Sequence, residues 1–159
     1  ESSSEICVFN FEGKGNIGIH ICYDLWFPET SRALAMAGAE LIINPTMTPT
    51  KDRDIETIMV RATAAQQQCF YIDINGSGEQ GNGKSLICDY EGSILDFAEN
   101  ERKIFEVEID FELVRKARTN GFMGLGQPIK SFRDNPFSPI KDINKEYLKS
   151  LGELKRSKD

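Results

Sequence analysis

Leu41-Ile-Ile-Asn44 restricts the fold more than any other segment. Three apolar side chains in succession leave no polar face, the pattern of a strand buried on both sides, as in parallel sheets. A helix is predicted just before it. Pro28 suits a first helical turn, Glu29 sits near the positive helix end, and the pattern runs to about Ala37, where Gly38 is a natural stop. Residues 16–22 read as a buried strand ahead of that helix. Strand, helix, strand is a βαβ unit with a right-handed crossover, so the expected class is α/β.

The flanks extend this unit. Residues 5–11 alternate as a strand and reach residue 16 through the turn Glu12-Gly-Lys-Gly15. Residues 54–68 suit a helix, with Ile55, Ile58, Met59, Ala62 and Ala65 on one face. Cys69–Ile74 reads as a strand, followed by a glycine-rich loop from Asn75 to Gly83. Strands at 85–88 and 93–97 join through Asp89-Tyr-Glu-Gly92. Lys103–Ile109 alternates as a strand with Phe105, Val107 and Ile109 inward. Phe111–Arg118 suits a short helix, and glycines and prolines between Gly121 and Pro139 break any regular pattern. A last amphipathic helix is expected over Ile143–Leu154, with Tyr147, Leu148 and Leu151 on one side.

The 159 residues suit one domain, and a 40% hydrophobic share can bury a core. A net charge of -6 repels phosphate backbones, so nucleic acid is not an expected partner. No apolar run approaches the roughly 20 residues of a membrane span, and no signal peptide is evident. The expectation is a soluble, cytoplasmic protein without a membrane partner. The cysteines are Cys7, Cys22, Cys69 and Cys88, none in a C-x-x-C pair, and His20 is the one histidine. These spacings do not suit a metal site. Cys7, Cys69 and Cys88 stand in apolar stretches and are expected to be buried free thiols.

Cys22 is different. A buried strand ends at it, and a helix begins within a few residues. That is the pattern of a nucleophile elbow, in which a sharp turn holds the side chain clear of the backbone. Backbone N–H groups after such a turn are unpaired and can receive an oxyanion. The plainer reading is that Cys22 closes a strand as a small apolar residue. His20, two residues earlier on the same strand face, is about 6.5 Å away along the strand. It reads as a packed neighbour, with a Cys–His pair as the rival. Asp24 either lines the site or satisfies N–H groups of the turn.

The segment Gly18-Ile-His-Ile-Cys22-Tyr-Asp-Leu-Trp-Phe-Pro-Glu29 resembles the nitrilase superfamily of carbon–nitrogen hydrolases. The matching positions are Gly18, Cys22, Tyr23, Asp24, Phe27, Pro28 and Glu29. The resemblance continues through Gly38–Thr46, Arg61-Ala62, Gln66–Asn75, Gly83-Lys-Ser85, Gly92 and Ile109-Asp110. It implies the four-layer α-β-β-α sandwich of that superfamily, with this chain giving mainly its second half. Residues 1–118 would be the carboxy-terminal half of the hydrolase domain, and 119–159 an extension packing on a partner subunit of a homo-oligomer.

The resemblance also implies the chemistry. Cys22 is the nucleophile and the Tyr23 N–H an oxyanion donor. Asp24, Trp26, Asn44, Pro45 and Thr46 border the pocket, and Phe27, Pro28 and Glu29 support it. Family members often carry arginine where Trp26 stands, which suggests a different substrate or closure. The family's base is a glutamate and its second oxyanion donor a lysine, both upstream of the cysteine. Glu5 and Lys14 are not assigned to those roles. Glu1 is not an initiator methionine, so an upstream segment is expected. The expected reaction is hydrolysis of a small amide through a thioester, without metal or organic cofactor. A nitrile or N-carbamoyl substrate is an alternative. If the chain is complete, an inactive assembly or regulatory subunit is another.

Overall fold

Three parallel strands form the centre of the sheet, as the apolar run at 41–44 requires. A computed structural model describes residues 5–136 and 144–153. The strands are β1 (Cys7–Phe11), β2 (Gly15–Ile19), β3 (Leu41–Thr46), β4 (Phe70–Asn75), β5 (Ser85–Cys88) and β6 (Ile94–Ala98). They lie side by side in chain order in one six-stranded sheet. β2, β3 and β4 are parallel, while β1 and the β5–β6 hairpin flank them antiparallel. The helices are α1 (Pro28–Met36), α2 (Asp52–Gln67), α3 (Phe111–Asn120), α4 (Pro128–Asp134) and α5 (Lys145–Ser150).

Side chains alternate across each central strand. Ile42 and Tyr71 face α1 and α2, where they join Leu34, Val60, Ala64, Leu86 and Cys88 in a buried core. Leu41 and Phe70 face the other way and pack with Ile17 under Val114 of α3. Gly18 lets α1 lie close on β2: a Cβ there would stand 2.9 Å from the Ala39 Cβ and 3.3 Å from that of Leu34. α3 is locked down by Arg118, which donates to the carbonyls of Ala39 at 2.7 Å, Gln67 at 3.0 Å and Gln68 at 3.1 Å.

The structure corrects several expectations. On α2 the buried stripe is Arg53, Glu56, Val60, Thr63, Ala64 and Gln67, while Ile55 and Ile58 are exposed. Apolar periodicity misplaced the face because the residues turned inward are charged and paired. Lys103–Ile109 keeps its alternation, with Phe105, Val107 and Ile109 half-buried, but joins no strand of the sheet. Packing against the core, without ladder hydrogen bonds, suffices for that pattern. Within 121–136, where no regular element was expected, Pro128 opens α4 as a first-turn proline. Positions 137–139 of that segment, and 143 and 154 of the last helix, lie outside the described residues. Cys7 is exposed because it shares a face of β1 with Phe9 and Phe11, which are also exposed, while Val8 on the opposite face packs against the core.

Candidate active site

β2 stops at Ile19, three residues short of the expected end. The His20 N–H reaches the Ile43 carbonyl at 3.3 Å, and the chain then leaves the sheet. Cys22 takes a φ of 53°, a left-handed conformation that costs a non-glycine residue about 1–3 kcal/mol. Cys22–Trp26 then forms a short 3₁₀ turn leading into α1. Cys22 therefore opens a turn and does not share a strand face with His20. β3 accommodates the departure. Ile43 turns its carbonyl toward β2, and Pro45, two residues on, presents its nitrogen on that same side, where no ladder donor is needed.

Asp24 clamps the turn. Its N–H donates to the Ile21 carbonyl at 3.1 Å, and its Oδ2 accepts the Ile21 N–H at 2.8 Å. The Asp24 carbonyl accepts the Phe27 N–H at 3.1 Å and the Thr30 hydroxyl at 2.7 Å, which ties the elbow to α1. Pro28 and Glu29 occupy the first turn of α1, and the rings of Tyr23 and Phe27 meet edge to face at 5.2 Å. Among the described residues no hydrogen bond takes up the Tyr23 N–H.

The sulfur has a defined partner: the Thr46 hydroxyl, at the end of β3, donates to Cys22 Sγ at 3.3 Å. Thr46 Oγ1 also lies 3.3 Å from Thr48 Oγ1, and Thr48 donates to Glu56 Oε1 at 3.1 Å. Trp26 Nε1 donates to that same oxygen at 3.1 Å. Asn44 is fully buried and donates to Asp73 Oδ1 at 2.7 Å, while Pro45 is exposed. Of the three β3 positions expected to border the pocket, only Thr46 touches the nucleophile.

Behind Glu56 lies an ion cluster that sequence reasoning did not single out. Arg53 donates to Glu56 Oε2 at 3.2 Å and pairs with Asp73, and none of the three side chains is more than 5% exposed. Burial pushes the Asp73 carboxyl above its ordinary range, while the Arg53 charge and hydrogen bonds from Arg53 and Asn44 pull it back. Two sequence signals were available: Arg53 and Glu56 are spaced for one helix face, and Asp73 interrupts an otherwise apolar strand.

His20 is buried, and its Nε2 meets the Tyr71 hydroxyl at 2.9 Å and the Ser31 hydroxyl at 3.2 Å. Burial lowers its proton affinity, with Asp24 and Asn44 acting the other way. A neutral ring carrying its proton on Nδ1 would accept from both hydroxyls. No hydrogen bond among the described residues joins His20 to Cys22. Beside the elbow, Glu5, His20, Asp24 and Glu29 line a cavity of about 330 Å³. Lys14 sits away on the β1–β2 turn, 3.0 Å from Glu12.

The family model for carbon-nitrogen hydrolases matches residues 3–119. The chain belongs to the carbon-nitrogen hydrolase family. An (R)-stereoselective amidase from Pseudomonas sp. is 38% identical over 109 residues, covering 64% of this chain and 39% of that protein. Nit3 of Saccharomyces cerevisiae, a member of the nitrilase superfamily, superposes with a TM-score of 0.66 at 24% identity. That match covers 75% of this chain and 45% of Nit3. An amidase from Nesterenkonia sp. AN1 superposes with a TM-score of 0.58 at 26% identity, covering 63% of this chain and 39% of that one. The superposed structure, of a mutant form of that amidase, shows covalent addition of the acetamide moiety of fluoroacetamide at the active-site cysteine. The α/β fold of this chain is therefore of the nitrilase type. The chain spans less than half the length of each of these relatives. No helix among its described residues is long and apolar enough to cross a membrane.

Proposed function

We propose that this chain carries the nucleophile of a hydrolase of non-peptide carbon–nitrogen bonds, acting on a small amide through a thioester at Cys22. The observation that carries this reading is Cys22 itself: φ 53°, on a turn clamped by Asp24, with the Thr46 hydroxyl on its sulfur. A base removes the thiol proton and Sγ attacks the amide carbon. The tetrahedral oxyanion is held by the Tyr23 N–H and a lysine. Collapse expels the amine, which leaves with a proton as ammonia. Water, deprotonated by the same base, attacks the thioester, and the acid departs as the thiol re-forms. With a nitrile, attack by Sγ gives a nitrogen anion that is protonated to a thioimidate; one water adds to it, ammonia leaves, and the same thioester is then hydrolysed by a second water.

On this reading the base is a glutamate of a preceding segment, which also supplies the lysine. This chain is the second half of a four-layer α-β-β-α sandwich. Three observations support that arrangement. The matched relatives are more than twice as long as the region they share with this chain. On the sheet face that carries α3, the row Ile19, Ile43 and Ile72 is only partly buried and Ile74 is 39% exposed, while Val114 covers the row Ile17, Leu41 and Phe70. β1 leaves Phe9 and Phe11 exposed. The extension that begins at residue 119 packs on a partner subunit of a homo-oligomer, which the exposed Tyr147 and Leu148 of α5 and Leu151 just after it support. Four free cysteines suit the reducing cytoplasm.

Fluoroacetamide tests the nucleophile directly. Incubation of the full-length protein, followed by peptide mass spectrometry, is expected to place an acetamide adduct on Cys22. Ammonia release from a series of small amides and nitriles then ranks substrates. Turnover retained by Cys22→Ala, or neither an adduct on Cys22 nor ammonia release from any of the amides, would refute the reading.

A further inference from the structure

Cys22 is joined to the buried ion cluster by two hydroxyls. From the sulfur the contacts run to Thr46 Oγ1 at 3.3 Å, to Thr48 Oγ1 at 3.3 Å, and to Glu56 Oε1 at 3.1 Å. Glu56 is held from behind by Arg53 and from the side by Trp26 Nε1. A hydroxyl has one hydrogen to give and can accept on its free side. The chain therefore has two complete orientations. In one, the Cys22 thiol donates to Thr46, Thr46 to Thr48, and Thr48 to Glu56. In the other, Thr48 donates to Thr46 and Thr46 to a Cys22 thiolate, while Glu56 keeps only Trp26 and Arg53. The two differ by rotation of hydroxyl hydrogens and by the one proton that leaves the sulfur for the general base; no heavy atom moves.

We propose that Thr46, Thr48 and Glu56 form a hydroxyl relay that sets the charge state of Cys22, with Glu56 as the buried anion that favours the thiol. This rests on Cys22 being the nucleophile. A carboxylate at the far end draws both hydroxyl hydrogens toward itself and away from sulfur, and its charge opposes a second anion nearby. Thr46 contributes in the other direction, since a donor to a thiolate is a charge-assisted bond and stronger than one to a thiol. Thr48 and Glu56 are positioning residues that act through Thr46. Other ionisable groups flank the elbow. On its own segment, Asp24 is tied to the Ile21 N–H and His20 to Tyr71 and Ser31. Glu29 comes from α1 and Arg53 from α2, while β3 carries no charged residue. Along the hydrogen bonds that lead from the sulfur, Glu56 is the first ionisable group reached, with Arg53 behind it.

The test is the pH profile of Cys22 alkylation by iodoacetamide, read by peptide mass spectrometry on the full-length protein. Thr46→Val is expected to move the midpoint up by about one pH unit, and Thr46→Ser to restore it. Glu56→Gln is expected to move it down by roughly half a unit, because the anion no longer competes for the Thr48 hydrogen. In a Thr48→Val background the Glu56→Gln shift should shrink, since the link is cut. Thr48→Val alone cuts the link and frees the Thr46 hydrogen for sulfur, so it is expected to move the midpoint down as Glu56→Gln does, which keeps the relay testable if Glu56→Gln fails to fold. Identical Cys22 profiles in the wild type, Thr46→Val and Glu56→Gln overturn the relay but leave Cys22 as the nucleophile. An upward shift in Glu56→Gln overturns the assigned direction. Failure of Cys22 to alkylate in the wild type overturns both the relay and the reading beneath it.

Discussion

The Arg53 guanidinium and the Asp73 carboxylate pair with neither side chain exposed, joining the first turn of α2 to the middle of β4. Removing one partner of such a pair strands a charge out of water, whereas replacing both with apolar groups can be neutral. Asp73→Ala is therefore expected to cost about 3–5 kcal/mol in urea unfolding. Asp73→Asn should cost less, because the amide still offers Arg53 an acceptor. The triple variant Arg53→Met, Glu56→Gln, Asp73→Leu, which leaves no charge of the cluster buried without its partner, should recover most of the loss. A triple variant as unstable as Asp73→Ala would show that the cluster stabilises through more than its charges.

His20 makes stability depend on pH. Its folded proton affinity is lowered, chiefly by burial. The unfolded chain takes up a proton near the ordinary imidazole value of about 6.5, while the folded ring resists it. Stability is thus fully present above that value and falls as pH drops through it toward the folded value. One proton gives a slope of at most about 1.4 kcal/mol per pH unit. Urea unfolding at pH 7.5, 6.5 and 5.5 should show this slope, and His20→Gln should flatten it. An unchanged slope in the variant would assign the effect to other groups.

The four thiols should separate into two classes. Burial pushes Cys69 and Cys88 up to about 12, so neither carries appreciable thiolate at neutral pH. Cys7 is exposed on β1 and Cys22 is half-buried at the elbow. Limiting alkylation of the folded protein is expected to modify Cys22 and Cys7 and to spare the other two until denaturant is added. Early modification of Cys69 or Cys88 would contradict the packing around them.

Gly92 is required for steric reasons. It takes a φ of 82°, and a Cβ there would stand 2.6 Å from the Arg61 carbonyl oxygen of α2. Arg61 in turn donates Nε–H to the Gly92 carbonyl at 3.0 Å. Gly92→Ala is expected to cost about 1–3 kcal/mol from the left-handed backbone alone, with the clash adding to it. A thermal scan measures the loss, and a variant within a few tenths of a kcal/mol of wild type would mean that the β5–β6 turn can move off α2.

Chain-local chemistry was legible in the amino-acid order. The apolar Leu41-Ile-Ile run, Pro28 before a helix and Gly38 after it determine the βαβ unit, because each acts through its own backbone or its immediate neighbours. The motif around Cys22 determines the elbow in the same way: the clamp between Ile21 and Asp24 spans three residues. What lies inward was decided by tertiary structure. Periodicity pointed to Ile55 and Ile58, yet Arg53 and Glu56 turn inward, because Asp73, Thr48 and Trp26 wait there from three other segments. Burying a charge is unfavourable alone and becomes favourable only with partners in place, and those partners are 20, 8 and 30 residues away. The same holds for Cys22. The sequence by itself determined that a cysteine stands at a strand-to-helix turn. Only the packing of β3 against the elbow decided that a threonine 24 residues later holds its sulfur.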